Sequence, residues 1–278
     1  MKIAIIGGSS FVGQNLLNYL SKKNYSIIST YTNNSKIKKE FPKVKWKKLN
    51  FKEIKKNYYS FLGSPDILIN LSWPDIPNYK SKKHYKTFHY QKRLNYNLIN
   101  NGLKNLIIMG TCYEYGKKQG KISENNVPKP VVPYAISKLR LLKSILNHKK
   151  KDNLKFTWLR PFFVFGKNKK RKTLYSIINE GNKKELSKLK LPGEIVRDFV
   201  PINFLSYVIA KLIKLNEGCH VLNVCTGKGI TIKNFVSKNL KNKKNIKLIN
   251  MNGKNPYNFE PKSFWGDDSK LKKVLKKK

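Results

Sequence analysis

The sequence predicts an α/β protein built on a parallel sheet. Short apolar runs alternate with amphipathic stretches along the whole chain, the pattern of strands joined by crossover helices. The first run, Lys2–Ile6, passes at once into Gly7-Gly8-Ser9-Ser10-Phe11-Val12-Gly13 and then a helical pattern through Leu16, Leu17 and Leu20. No internal repeat and no flexible linker interrupts the 278 residues, a length that buries one core with a smaller lobe attached.

The elements follow in order. Gly7 permits a tight turn and Gly13 close helix packing, so the helix amides that follow face a phosphate. Ser10 occupies the central place where a third glycine is usual. The second strand is Ser26–Tyr31, and its end is the expected position of an acid that holds a ribose 2′-hydroxyl. The first acid of the chain is Glu40. The stretch Thr30 to Lys36 instead offers hydroxyls, amides such as Asn33 and a cation, which suit a 2′-phosphate and favour NADP over NAD. After a strand over 44–49, Asn50 either faces an adenine edge or closes a turn. Residues 66–72 form a buried strand whose end, Leu71 and Ser72, lies along a cofactor. Trp73-Pro74-Asp75-Ile76-Pro77 is a rigid loop at the mouth of the site, leading to a long helix over 80–101.

The next strand is Asn105–Met109, and it runs into Gly110-Thr111-Cys112-Tyr113-Glu114-Tyr115-Gly116. Ligands of open parallel sheets bind at such strand ends, so the Thr111 hydroxyl faces substrate. Pro133 opens a helix in which Tyr134 and Lys138, four apart, project from one face. An adjacent ammonium stabilises a phenolate and brings its pKa toward the working range. A strand over 156–161, ending in Arg160-Pro161, leads to Phe163. Basic residues 167–172 open a second lobe; next come Arg197-Asp198-Phe199, a helix over 203–215, a strand over 221–224, a helix from Thr231 and a short basic helix after Asp268.

The net charge of +44 offers two readings, a polyanion binder or a compositional habit. The lysines are spread along the whole length without forming one stripe, which favours habit and argues against nucleic acid. Arginine is used only at Arg93, Arg140, Arg160, Arg171 and Arg197, positions where a planar fork matters. Three cysteines without metal-ligand spacing and four scattered histidines give no metal site and point to a reducing, cytoplasmic setting. The start of the chain is too briefly apolar for a signal segment, and no run is long enough for membrane insertion.

Taken together, Gly7 to Gly13, Thr111, Tyr134 with Lys138, Arg160-Pro161 and Arg197-Asp198-Phe199-Val200 resemble the extended short-chain dehydrogenase/reductases, the NAD(P)-dependent epimerase/dehydratase family of nucleotide sugars. The resemblance spans nearly the whole chain. It implies a Rossmann-type doubly wound sheet, with residues 1–166 mainly a cofactor lobe and 167–278 mainly a substrate lobe that returns a strand near 221–225. It also implies Tyr134 as general acid/base and Lys138 as holder of the nicotinamide ribose that lowers the Tyr134 pKa. Thr111 would bind the reacting sugar oxygen, and Arg197 would clamp a diphosphate. Cofactor contacts would come from Gly7, Ser9, Ser10, Phe11, Val12, Gly13, Thr30, Asn33, Lys36, Asn50, Leu71, Ser72 and Pro161, beside Tyr134 and Lys138. Cys112, Tyr113 and Phe163 would touch substrate.

Departures from the family pattern narrow the chemistry. Dehydratases carry Asp-Glu after the catalytic Thr, and here Cys112 and Tyr113 stand there. Phe163 replaces an Asn that contacts phosphate in relatives, Asn203 replaces an Asp, and the chain lacks a Leu-Gly-Trp tail. The stretches around 110–116, 256–261 and 264–268 are similar to 4-keto-6-deoxyhexose reductases of surface-polysaccharide synthesis. The expectation is therefore NADPH-dependent reduction of a nucleotide-linked 4-keto sugar. The alternatives are an NAD-dependent 4-epimerase and a non-catalytic relative that binds RNA. A homodimer through the helices around 85–101 and 134–148 is the pairing relatives use.

Overall fold

The computed structural model describes residues 1–33, 35–51, 53–148, 153–167, 172–218 and 220–277. Most of the basic segment 167–172, with Arg171, and also Cys219 lie outside these residues. The chain opens with β1 (Lys2–Ile6), α1 (Phe11–Leu20), β2 (Ser26–Tyr31), α2 (Ile37–Glu40) and β3 (Lys45–Lys48). It continues through α3 (Tyr58–Phe61), β4 (Ile67–Asn70), α4 (Lys83–Asn100), β5 (Asn105–Met109), β6 (Gly120–Ile122) and α5 (Pro133–Leu146). Then come β7 (Lys155–Pro161), β8 (Phe163–Phe165), α6 (Leu174–Glu180), α7 (Lys183–Ser187), β9 (Val196–Arg197), β10 (Phe199–Pro201) and α8 (Ile202–Leu215). The last elements are β11 (His220–Val224), β12 (Ile230–Thr231), α9 (Ile232–Asn239), β13 (Ser263–Gly266) and α10 (Ser269–Lys276).

Seven strands form one parallel sheet in the order β11-β7-β5-β4-β1-β2-β3. From β1 the chain winds outward to β2 and β3 on one side, then recrosses to β4 and continues outward on the other. The sheet is thus doubly wound, as the resemblance implies. The reversal leaves a crevice beyond the carboxyl ends of β1 and β4, where ligands of such sheets bind.

Successive side chains of a strand face opposite ways, and β1 shows how this builds two layers. Ile3 and Ile5 pack with Leu16, Leu17 and Leu20 of α1 and with Leu205 and Ile209 of α8. Ala4 and Ile6 belong to the opposite face, with Leu94 and Leu98 of α4 and Leu141, Leu142 and Ile145 of α5. Helix α8 buries Leu205, Val208, Ile209, Leu212 and Ile213 along one side. Each such side chain contributes about 1.5–3 kcal/mol relative to exposure.

The predicted strands at Ser26–Tyr31 and Asn105–Met109 occur with those bounds. The long helix begins at Lys83 because the residues before it are drawn into turns, with the Asn78 N–H donating to Asp75 O at 2.9 Å and Ser81 N–H to Asn78 O at 3.0 Å. Elements absent from the sequence reading include a second sheet, β12-β9-β13-β6, made of strands two to four residues long. A separate apolar cluster of Ile178, Leu186, Phe235, Val236 and Leu240 holds α6, α7 and α9 together. Among the described residues no helix is long and apolar enough to cross a membrane.

Candidate active site

The turn after β1 is shaped by its small residues. Gly7 has φ +87°, and its carbonyl accepts from the Ser10 N–H at 3.0 Å. Ser10, the departure from the glycine pattern, is the N-cap of α1: its hydroxyl accepts from the Gly13 N–H at 3.1 Å. A Cβ on Gly13 would stand 2.3 Å from the Gly7 carbonyl oxygen, so only glycine lets α1 approach this closely. The first turn of α1 carries no acid, and Phe11 and Val12 line the cavity above it. That cradle, at the positive end of a helix dipole, fits a pyrophosphate.

The cavity has a volume of about 520 Å³ and extends from α1 to the ends of β4, β5 and β7. On its wall the Tyr134 phenol and the Thr111 side chain stand together. Trp73, Tyr79 and His84 surround the Tyr134 ring, with centroids 6.1, 5.5 and 5.3 Å away. This setting dominates the titration. Burial pushes the Tyr134 phenol well above its usual range, Tyr79 adds to the rise, and the neighbouring Thr111 hydroxyl offsets only part of it.

Lys138 lies one turn below, 2% exposed. Its Nζ donates to the Met109 carbonyl oxygen and sits 4.1 Å from the Trp73 ring centroid. Burial lowers its pKa to about 7, against the opposing pull of Glu114. The sequence reading has the ammonium pulling the phenol down. In the structure both groups are instead driven toward their neutral forms, because the apolar surroundings penalise either charge. The shared helix face is as expected; the electrostatics are not.

Beneath Thr111 lies a buried ion pair that spacing arguments did not single out. Glu114 accepts from Arg160 Nε at 2.7 Å, from Trp158 Nε1 at 2.9 Å and from the Thr111 N–H at 3.0 Å. Thr111 and Glu114 form a capping box around a short 3-10 turn, Cys112–Tyr115. The Thr-x-x-Glu spacing is a sequence signal that points to this role. Cys112 also lines the cavity, but burial raises its thiol well above the usual range, which makes it a poor nucleophile.

Arg197 is 2% exposed and stands behind Phe163, its guanidinium 5.1 Å from that ring. Its fork is engaged: one nitrogen donates to Glu260 at 2.7 Å and another to the Val196 carbonyl oxygen at 2.8 Å. The Tyr113 hydroxyl donates to the other oxygen of Glu260. The neighbouring Asp198 is not its partner. Asp198 accepts from the Thr226 N–H and hydroxyl at 2.8 and 2.7 Å and from the Gly227 N–H at 3.1 Å.

Of the residues predicted from sequence, Ser10, Phe11, Val12 and Leu71 line the end of the cavity beside α1, and Thr111, Cys112, Tyr113, Tyr134, Pro161 and Phe163 the other walls. Gly7, Ser9 and Gly13 build the turn beside it. Thr30, expected to face a 2′-phosphate, is 3% exposed and its hydroxyl accepts from the Gly7 N–H at 3.0 Å, so it braces the turn. Asn33 and Lys36 are exposed on the loop after β2, and Asn50 donates to Glu53 at 3.3 Å. The Ser72 hydroxyl donates to Asn70 Oδ1 at 3.1 Å and accepts from Gln91 Nε2 at 3.1 Å. Arg197 does not line the cavity. Tyr79 was missed, and so was the pairing of Glu260 with Arg197, because the stretch 256–261 is marked only by resemblance and its partner lies 63 residues away.

A Rossmann sheet with a capped glycine turn and a Tyr-Thr pair over a buried lysine defines a class. The chain belongs to the NAD dependent epimerase/dehydratase family, whose model matches residues 3–225. Its cofactor class is accordingly a nicotinamide dinucleotide. Among curated proteins it is similar to the dTDP-6-deoxy-L-talose 4-dehydrogenase (NAD(+)) of Aggregatibacter actinomycetemcomitans, 23% identical over 248 residues, 86% of this chain and 89% of that protein. It is also similar to the GDP-6-deoxy-D-talose 4-dehydrogenase of the same organism, 27% identical over 84% of this chain and 76% of that protein. Among solved structures, a UDP-glucuronic acid 4-epimerase mutant from Bacillus cereus, in complex with UDP-4-deoxy-4-fluoro-glucuronic acid and NAD, shares the fold. The TM-score is 0.81 at 20% identity, over 99% of this chain and 93% of that one.

The lowered Lys138 pKa has a consequence for stability. From about pH 7 to the ordinary lysine value of 10.5, the unfolded chain holds a proton at this residue that the folded chain lacks. Folding stability from this group therefore rises with pH across that window and is lost as pH falls through 7. Unfolding midpoints of wild type and Lys138→Met, measured at pH 7 and pH 9.5, are expected to show wild type gaining on the variant toward alkaline pH. A constant difference would mean that Lys138 is charged in the fold.

Proposed function

We propose that the protein reduces the 4-keto group of a nucleotide-linked 6-deoxyhexose with NADPH, a step of surface-polysaccharide synthesis. The observation that carries this reading is the Tyr134–Thr111 pair on the cavity wall, with the phenol held protonated by burial. A protonated phenol is a donor. As hydride reaches the carbonyl carbon, the carbonyl oxygen takes the Tyr134 proton and Thr111 holds the same oxygen in line. The phenolate left behind favours protonation of Lys138, whose pKa of about 7 lets it take up a proton near neutrality. A nicotinamide dinucleotide, when bound, supplies the hydride. The turn from Gly7 to Gly13 would hold its pyrophosphate, with Leu71, Ser72 and Pro161 along its length and Asn50 toward the adenine.

Two further features support a nucleotide sugar. A second cavity of about 260 Å³ shares Phe11, Phe163 and Val164 with the first and is walled by Phe165, Tyr175, Phe199 and Phe235. Flat aromatic walls suit a nucleobase. Two of the curated relatives are named as 4-dehydrogenases of 6-deoxy-talose nucleotides, which is oxidoreduction at the same carbon. The diphosphate would reach Arg197 by taking the place of Glu260 on a fork that is already held in position.

The cofactor preference rests on the loop after β2, which has no carboxylate before Glu40 and exposes Asn33 and Lys36. The name of the first relative specifies NAD(+). Calorimetry with NADPH and NADH is therefore the first experiment. Tighter, exchangeable NADPH is expected; NAD retained through purification would instead point to a 4-epimerase, which uses the same Tyr134 and recycles its hydride.

Tyr134→Phe is expected to lower turnover of 4-keto sugar nucleotides by about a hundredfold or more while cofactor affinity is unchanged. Undiminished turnover would remove Tyr134 from the chemistry. Glu260→Gln is expected to tighten binding of free nucleoside diphosphate by freeing the Arg197 fork. Unchanged or weaker binding would assign Arg197 and Glu260 to the fold alone.

A further inference from the structure

The cavity is lined by no lysine, arginine or histidine among the described residues, in a chain that carries 59 lysines and arginines. The charged residue in its wall is Asp75. The Oδ2 atom of Asp75 is shielded from solvent and has no hydrogen-bond partner. A buried acceptor left unpaired is costly, so the loop is held in this conformation by its surroundings. The backbone of Asp75 is also unfavourable for an L-residue, with φ +68°.

The surroundings hold this arrangement in place. Trp73, two residues earlier, donates from Nε1 to His84 Nδ1 at 3.1 Å. That leaves the proton of the neutral ring on Nε2, which donates to the Asn78 carbonyl oxygen at 2.9 Å. A single buried histidine thus pins the loop on both sides of Asp75. The loop cannot easily turn the carboxylate outward to water, and the same cavity wall carries Tyr134 and Thr111.

We propose that Asp75 determines substrate specificity by accepting a hydrogen bond from the sugar, so that the site takes neutral or amino hexoses and rejects hexuronates. This rests on the nucleotide-sugar reading above and names its substrate class. A hydroxyl or ammonium of the sugar bonds the Asp75 carboxylate on its cavity side. A sugar carboxylate brings like charge against Asp75 with no cation among the described residues of the wall to offset it. The compared Bacillus cereus enzyme, crystallised with a glucuronic acid derivative, belongs to the group from which this cavity would diverge.

The test is calorimetry on the full chain. Free UDP, dTDP and GDP are titrated first, and the tightest binder sets the nucleotide for matched glucose, glucosamine and glucuronate conjugates. Wild type is expected to bind the hexuronate at least about tenfold more weakly than the hexose. Asp75→Asn, which tolerates the left-handed backbone, should narrow that gap. Asp75→Gly removes the backbone strain along with the carboxylate, and should weaken hexose binding several-fold without lowering the unfolding midpoint. Tighter binding of the amino sugar identifies an ammonium as the donor, and equal binding a hydroxyl. Equal affinity for hexose and hexuronate in wild type, or a gap that both variants leave unchanged, overturns the proposal. Failure of all three nucleotides to bind overturns the nucleotide-sugar reading and this inference with it.

Discussion

The site depends on the ion pair between Glu114 and Arg160, whose side chains are 0% and 2% exposed. Charges so deeply buried persist only when their remaining valences are used, and here they are. Glu114 takes hydrogen bonds from Arg160, Trp158 and the Thr111 N–H, while the Arg160 guanidinium stacks 4.5 Å from the Tyr115 ring. Tyr115 in turn donates to Asn223 at 2.7 Å, which extends the network to β11. Three parallel strands are thereby tied together at their carboxyl ends. Gly110 is part of the same constraint, since a Cβ there would lie 2.1 Å from Trp158 Nε1.

This platform decides what the groups above it can do. Thr111 is held from below by its N–H, and its hydroxyl accepts from the Tyr113 N–H at 3.3 Å, which leaves the hydroxyl proton for a partner on the cavity side. Tyr134 is enclosed by Trp73, Tyr79 and His84, and their low polarity keeps its proton on. Lys138 feels two opposed influences: burial drives its proton off, and the Glu114 carboxylate favours keeping it. The ion pair that positions Thr111 therefore also tunes the lysine, so structure and proton chemistry share one anchor.

Much of the fold was legible because interior parallel strands are buried on both faces and read as continuous apolar runs. Lys2–Ile6 and Asn105–Met109 are such runs, and the glycines after the first mark the turn. The spacing of Tyr134 and Lys138 places them on one helix face, since that follows from helical period alone. Their protonation was not legible, because burial is set by rings from the loop after β4 and from α4, distant in sequence. Thr30 illustrates the same limit: its position at the end of β2 follows from the pattern, but the Gly7 amide that claims its hydroxyl is 23 residues away. The pairing of Arg197 with Glu260 spans 63 residues, and β9, β12 and β13 are too short to show a period.

Charge is distributed by location. With 59 basic and 15 acidic residues, the exterior creates a positive field that draws any anionic ligand toward the protein. Such a field attracts without discriminating, because exposed lysines are mobile and hydrated. Recognition has to come from inside, and there the few acids are placed with care: Glu114 under Thr111, Asp198 clasping the loop after β11, Glu260 on the Arg197 fork and Asp75 in the cavity wall. A lysine in that cavity would favour any carboxylate or phosphate that entered. Among the described residues the wall instead presents hydroxyls, aromatic faces and one carboxylate, groups that separate ligands by shape and hydrogen bonding.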